Sequence, residues 1–288
     1  MEPEFIRLSS FAVTLLSFIF GAVFGSFLNV IIVRLPKMLE YQWRRESLDY
    51  LKFYDMDVPE DKIGIAYPSS HCPNCKIVLK WWQNIPIASF FFLRGRCSAC
   101  QKEISMRYPI IELISALVTV LSTSKFGLSS TTIYALIFSY SLLALIAIDA
   151  DCKVLPDIIT IPLLWLGLFV NSQDYFTNLH SAVLGAMLGY LFLWTVFQLF
   201  KLATGKDGMG YGDFKLLAAI GAWLGWEVLP ITLVLSSFTA LTTGVVALSL
   251  KLLNKEDPIP FGAFISAVGL ILLHTELNEF FLSFLQRK

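Results

Sequence analysis

Eight apolar runs alternate with short polar connections along this chain. They fall at 9–33, 109–125, 129–149, 155–172, 179–203, 213–227, 229–250 and 258–275. Crossing about 30 Å of hydrocarbon takes roughly 20 helical residues, so most of these runs qualify as spans. The sixth is short and reads as tilted or half-buried. The last leads toward an amphipathic tail, ELNEFFLSFLQRK. One long polar insert, 34–108, interrupts the series. Its first part, KMLEYQWRRESLDYLKFYDMDVPEDKIGIAYPSS, reads as a helix followed by a loop, with a basic face that is either solvated or set against anionic headgroups. No internal repeat or low-complexity segment is evident.

Composition agrees with the pattern. Hydrophobic residues make up 56% of the 288 and charged residues only 15%, with a mean hydropathy of +0.67. That excludes an ordinary soluble globule. The opening MEPEFIRLSS is acidic and lacks a cationic region, and no small-residue cleavage site follows, so residues 9–33 read as a retained span. The formal net charge is zero; no nucleic-acid partner is expected, and the lipid bilayer is. Orientation follows the basic residues. The insert holds more than half of the 22 lysines and arginines, and Lys153, Lys201, Lys206, Lys251 and Lys255 fall in loops on its side. The loops NSQDYFTNLH and GWEVLP have none. The insert therefore faces the cytoplasm, and both termini lie outside.

Against this background two acids stand out. Asp149 closes the third run in LLALIAIDADCKVLPD, and Asp213 opens the sixth in GMGYGDFKLLAAIGAWLGW. Carboxylates at the edge of hydrocarbon are costly and mark function. By the topology above, both sit at the cytoplasmic edge at the same depth. Two carboxyls within hydrogen-bond reach cannot both ionise easily, so one keeps a proton while the other activates water. Asp151 reads as a solvated turn residue, and Asp157 as a cap for the fourth run. Lys215 reads as an interfacial lysine. Gly208, Gly210 and Gly212 allow unusual dihedrals or close approach, without the spacing of a phosphate-binding loop. His71, His180 and His274 are not placed to activate a cytoplasmic nucleophile.

The insert carries a second pattern. Cys72, Cys75, Cys97 and Cys100 form two CxxC knuckles separated by 21 residues, which suits a closed four-thiolate site holding structural zinc. Four ligands leave no open position for water, which argues against a catalytic metal, and a cytoplasmic location argues against disulfides. Cys152 has no partner in the sequence. The expected fold class is thus an all-α polytopic membrane protein, with about eight transmembrane helices and one cytoplasmic zinc-knuckle insert.

In order, GSFLNVIIVRLP, the two knuckles, RYPIIEL, IDADCKVLPDIITIPLLWLGL and GMGYGDFKLLAAIGAWLGW resemble the bacterial type IV prepilin peptidases over almost the whole chain. The resemblance implies an integral inner-membrane aspartic protease. Such enzymes remove the short basic leader of type IV prepilins and type II secretion pseudopilins after a glycine, on the cytoplasmic side. Many then methylate the new N-terminal residue with S-adenosylmethionine, and the large cysteine-bearing insert accompanies that bifunctional form. Carried over by motif, the catalytic pair is Asp149 and Asp213. The implied division is a first span, 1–33; a cytoplasmic insert with a four-cysteine metal site, 34–108; and a transmembrane aspartyl protease core, 109–288. No glycine-rich nucleotide fingerprint marks a methyl-donor site, which stays unassigned. Gly25, Ser26, Phe27, Asn29, Arg34, Arg94, Arg107, Tyr108 and Glu112 are candidates for it, each with an equally good structural role, Glu112 as a partner for Arg107. Two other readings stay open on the residues alone. A transporter explains buried acids and glycines but not the insert or the ordered motifs. A non-enzymatic assembly factor would make both acids dispensable.

Overall fold

A computed structural model describes residues 10–51, 63–252 and 258–275. Each apolar run is helical. In chain order the helices are α1 (Ser10–Tyr50), α2 (Ala88–Phe92), α3 (Arg107–Phe126), α4 (Ser130–Cys152), α5 (Asp157–Asn171), α6 (Leu179–Thr204), α7 (Tyr211–Leu224), α8 (Leu229–Ser249) and α9 (Phe261–His274). No strand forms among the described residues, which hold only two isolated bridges. Five helices are long and apolar enough to cross a membrane: α1, α3, α4, α6 and the segment Trp226–Ser249 that contains α8. The other three expected spans are shorter. Helices α7 and α9 have 14 residues each and α5 has 15, about 21–23 Å of axis. The ELNEFFLSFLQRK tail lies outside the described residues.

The chain divides into two compact units, one up to Thr132 and one from Ile133. In the first, α1 packs on α3. The first apolar run passes directly into the polar helix expected after it, through Pro36, giving one helix of 41 residues. Its outer part is supported by pairs one turn apart, Arg44 with Glu40 (3.2 Å) and Gln42 with Glu46 (2.8 Å). The two helices approach along Gly21 and Gly25, a small-xxx-small stripe. A methyl at Gly25 would lie 2.7 Å from the Glu112 Cα, and one at Gly21 would meet Thr119 Oγ1. Asn29 then donates from Nδ2 to the Tyr108 carbonyl at 3.1 Å.

In the second unit α7 is the hub. Every residue from Leu216 to Trp223 is buried, as are Asp213 and Phe214. A helix apolar all round belongs inside a bundle, which explains a segment too short to be an independent span. It packs against α5, α6 and α9. Gly185 and Gly189 on α6 repeat the small-xxx-small device. Gly185 and Gly221 touch backbone to backbone, and a methyl at Gly189 would lie 2.8 Å from the Leu217 carbonyl. Trp223 fits over Gly167 of α5, donates from Nε1 to the Leu163 carbonyl (2.7 Å) and stacks on Phe138 (4.9 Å). Asn171, fully buried, donates to the Ala222 and Trp223 carbonyls at 2.8 Å each, satisfying orphan groups at the C-terminus of α7. Its Oδ1 accepts from the amides of Phe176 and Thr177.

Gly185→Leu should force α6 and α7 apart and lower stability by about 1–3 kcal/mol or more. Gly64→Ala, where a Cβ meets only the Tyr67 oxygen at 3.8 Å, should be nearly neutral. Thermal unfolding in detergent compares the two.

Candidate active site and metal centre

Asp149 lies in the last turn of α4, and Asp213 is the third residue of α7 after its Gly210 N-cap. Both are buried, at 5% and 7% exposure. Their helix positions differ electrostatically. Asp213 sits at the positive end of the α7 dipole, which favours a carboxylate there, whereas Asp149 sits at the negative end of α4. A third helix offsets the second placement. The N-terminus of α9 points at Asp149, and the Ala263 amide donates to Asp149 Oδ2 at 2.7 Å.

Gly262, one residue earlier, faces both acids. A methyl built there would lie 3.0 Å from Asp213 Oδ1 and 3.1 Å from Asp149 Oδ2, and would collide with Leu155 at 2.6 Å. The two oxygens are therefore separated by no more than the sum of the first two distances. Acids from the third and sixth apolar runs thus converge on one point, roofed by α9. The PFGAF segment of α9 was not singled out in the sequence. Its signal is faint: prolines at 258 and 260, then a glycine inside a helix start.

The neighbouring acids do other work. Asp157 is not the cap of α5. Pro156 holds the N-cap position, and Asp157 follows it in the first turn. Both its oxygens accept from Lys215 Nζ at 2.7 Å, so the interfacial lysine is an ion-pair partner. Asp151 and Cys152 are exposed at the end of α4, where Lys153 adopts a left-handed φ of 55° and its amide closes onto the Asp149 carbonyl at 2.9 Å. Of the three glycines, Gly210 caps α7, Gly208 packs on Phe200 and Gly212 on Leu155.

The cysteines of the first unit form the other centre. Cys72, Cys75, Cys97 and Cys100 present sulfurs within 4.8 Å of one another, the one such cluster among the described residues. Each knuckle folds identically. The Lys76 amide returns to the Cys72 carbonyl and the Gln101 amide to that of Cys97, both at 3.0 Å. Lys76 and Gln101 take matching left-handed φ values of 59° and 57°. The Sγ–Sγ distances of 3.8 Å (Cys72 to Cys100) and 3.9 Å (Cys75 to Cys97) are too long for a disulfide. They match the edge, about 3.8 Å, of a tetrahedron with metal–sulfur bonds near 2.3 Å. The Cys100 thiol is drawn down to about 6, first by the Lys102 amide and then by the Asn74 side chain, and the amides of Cys75 and Asn74 lower Cys72. Those two shifts favour the thiolates a metal needs; at Cys75 the Ile77 amide acts the same way, but burial and the neighbouring thiols outweigh it and push that thiol up to about 11. Gln83 Nε2 donates to Ser98 Oγ at 2.7 Å and Lys102 Nζ to Asn74 Oδ1 at 3.1 Å, tying the knuckles to their surroundings.

The candidates for a methyl-donor site are largely committed to structure. Gly25 is a helix contact and Asn29 binds the Tyr108 carbonyl. Arg34 donates to the carbonyls of Gly64 (3.0 Å), Ile65 (3.0 Å) and Pro68 (2.5 Å). Glu112 is buried, with Ser26 and the Ile87 amide (2.7 Å to Oε2) as partners.

Five apolar helices of membrane-spanning length, a pair of buried carboxyl groups and a four-cysteine cluster in a separate unit describe a multi-pass membrane protein. Residues 19–126 match the Bacterial Peptidase A24 N-terminal domain, and residues 136–245 the Type IV leader peptidase family. The chain is 44% identical over 278 residues to the prepilin leader peptidase/N-methyltransferase of Stutzerimonas stutzeri, covering 95% of this chain and 94% of that one. The Aeromonas hydrophila protein of the same name is 47% identical over 258 residues (90% and 89%), and that of Pseudomonas aeruginosa 43% over 270 (94% and 93%). No solved structure matches. The chain belongs to the type IV leader peptidase family.

Elemental analysis of protein purified without chelator should find about one metal ion per chain, as a closed four-thiolate site requires. Cys97→Ser should lose it and lower the melting temperature. Absence of metal together with two disulfides would contradict the site.

Proposed function

We propose that this chain is a membrane-embedded aspartic endopeptidase. It removes the leader of type IV prepilins, and of type II secretion pseudopilins, after a glycine at the cytoplasmic face of the inner membrane. It then N-methylates the new N-terminal residue. The observation that carries the peptidase reading is the convergence of Asp149 and Asp213 on Gly262. The basic residues of the insert and of the loops on its side support a cytoplasmic site, and the names of the relatives supply the substrate class.

In this reading Asp149 and Asp213 are the catalytic residues. One, as carboxylate, takes a proton from water as the water oxygen attacks the scissile carbonyl carbon. The other, protonated, gives its proton to the carbonyl oxygen. Collapse of the resulting diol breaks the C–N bond, with a proton delivered to the leaving nitrogen. The Ala263 amide and the Gly262 surface are positioning elements that fix the orientation of Asp149 and keep the gap between the acids open. Residues 109–288 form the protease core and 34–108 a cytoplasmic insert, whose Cys72, Cys75, Cys97 and Cys100 hold structural zinc. S-adenosylmethionine supplies the methyl group. Because Gly25, Asn29, Arg34 and Glu112, four of the residues singled out for its site, are engaged in structural contacts, no donor pocket is assigned.

Mass spectrometry of a purified prepilin incubated with the protein tests this. The wild type should remove the leader, and Asp149→Ala and Asp213→Ala should lose it by about 10²–10⁴-fold or more, the scale of a missing acid or base. A methyl mass gain should require the donor and persist on precleaved substrate in both variants. Cleavage by both variants would make the acids structural; an uncut substrate with folded wild type would favour an ion-translocating role.

Gly262→Ala should lower kcat by roughly 10–10²-fold with KM little changed, since displacing a reacting group by about 1 Å costs that much. A purely structural defect would instead reduce the amount of folded enzyme and leave kcat per folded molecule intact.

A further inference from the structure

The cysteine insert carries an exposed aromatic face that its metal site does not explain. Trp81 and Trp82 lie in the 3₁₀ turn Trp81–Asn84, and Phe91 and Phe92 end α2. Trp81 and Phe92 are each 81% exposed and Phe91 is 72% exposed. Lys80, Arg94 and Arg96, also exposed, flank them. Aromatic rings edged with cations are the composition of a membrane–water interface.

The depth of this face is set by a contact to a span. The amide of Ile87, at the N-terminal boundary of α2, donates to Glu112 Oε2 at 2.7 Å. With its 20 residues, α3 is about 30 Å long, the thickness of the hydrocarbon. Arg107 therefore marks the boundary, and Glu112 lies about 7–8 Å inside it. Helix α1 agrees independently. Gly25 faces the Glu112 backbone, and α1 carries no charge from there until Arg34, about 13 Å further along its axis. Ile87 is also held at a φ of 60°, which a β-branched residue rarely adopts. A buried acid and a distorted backbone thus tether this segment at the level where hydrocarbon begins, although it belongs to a polar insert.

We propose that residues 81–92 dip into the cytoplasmic interface of the bilayer, with Trp81, Phe91 and Phe92 among the acyl chains and headgroups and Glu112 as the anchor. The partner is the membrane in which the protein is embedded. The four-cysteine ribbon is thereby held against the membrane surface rather than projecting into solvent.

Spin labelling of the full chain in nanodiscs of mixed phosphatidylethanolamine and phosphatidylglycerol tests this. In a Cys152→Ser background, with metal protecting the other four cysteines, a nitroxide is placed at Phe92→Cys and, for comparison, at the exposed Glu103→Cys. Collision with oxygen relative to a water-soluble nickel chelate should be several-fold higher at 92 than at 103. Adding Glu112→Ala should bring the ratio at 92 toward that at 103, with metal content unchanged. A label at 92 as accessible to nickel as that at 103 would overturn the proposal. So would one shielded from both reagents, which would mean that a protein surface covers this face. A lipid-like ratio that survives Glu112→Ala would overturn the anchoring role.

Discussion

A carboxylate withdrawn from water needs compensating dipoles, and the second unit is arranged around that need. Asp149 stands at the negative end of its own helix, and α9 turns its N-terminal amides toward it, with Ala263 donating at 2.7 Å. Asp213 obtains the same kind of support from the start of its own helix. The arrangement requires three helix ends to meet, so α4 must stop, α7 must begin and α9 must begin at one level. Leu155, which lies against both Gly212 and Gly262, fills the space between those ends.

Bringing helix ends together demands close packing along their lengths. In hydrocarbon no hydrophobic force drives helices together, so contact area between small residues has to serve. Both units use this device. Gly21 and Gly25 admit α3 against α1, and Gly185 and Gly189 admit α7 against α6. The short α7 is enclosed by its neighbours, and Asn171 terminates it by satisfying its last carbonyls. A core helix of this length places Asp213 by burial on every side rather than by lipid anchoring.

The first unit solves a different problem. Its ribbon has little apolar core: among the described residues from 63 to 106 only Cys72 and Cys97 are buried. Small modules of this kind depend on a metal for folding energy. The sulfur distances and the matched knuckle turns provide the geometry for it, while Arg34 and Glu112 fasten the surrounding loops to α1 and α3.

Much of this was legible in the residues. Apolar runs of span length dictate helices because lipid leaves backbone groups no other partner, and each run became one. The cysteine spacing pointed to a single cluster, and two matched turns do bring the four sulfurs within 4.8 Å of one another. The acids announced themselves because charge in hydrocarbon is expensive. Local pattern could not decide what depends on distant segments. Whether a run is a full span or an enclosed core helix depends on its neighbours: the short sixth run became α7, buried from Leu216 to Trp223, whereas α5, of nearly the same length, leaves Ile158, Trp165 and Phe169 exposed. Asp157 looked like a cap until Lys215, 58 positions away, took it as an ion-pair partner. Gly25 looked like a ligand-site glycine until α3 occupied its open face. Gly262 and Ala263 carried no charge to draw notice. Their role arises only where the tertiary fold brings the α9 amides to an acid 114 residues earlier in the chain, because a backbone hydrogen-bond donor has no sequence signature.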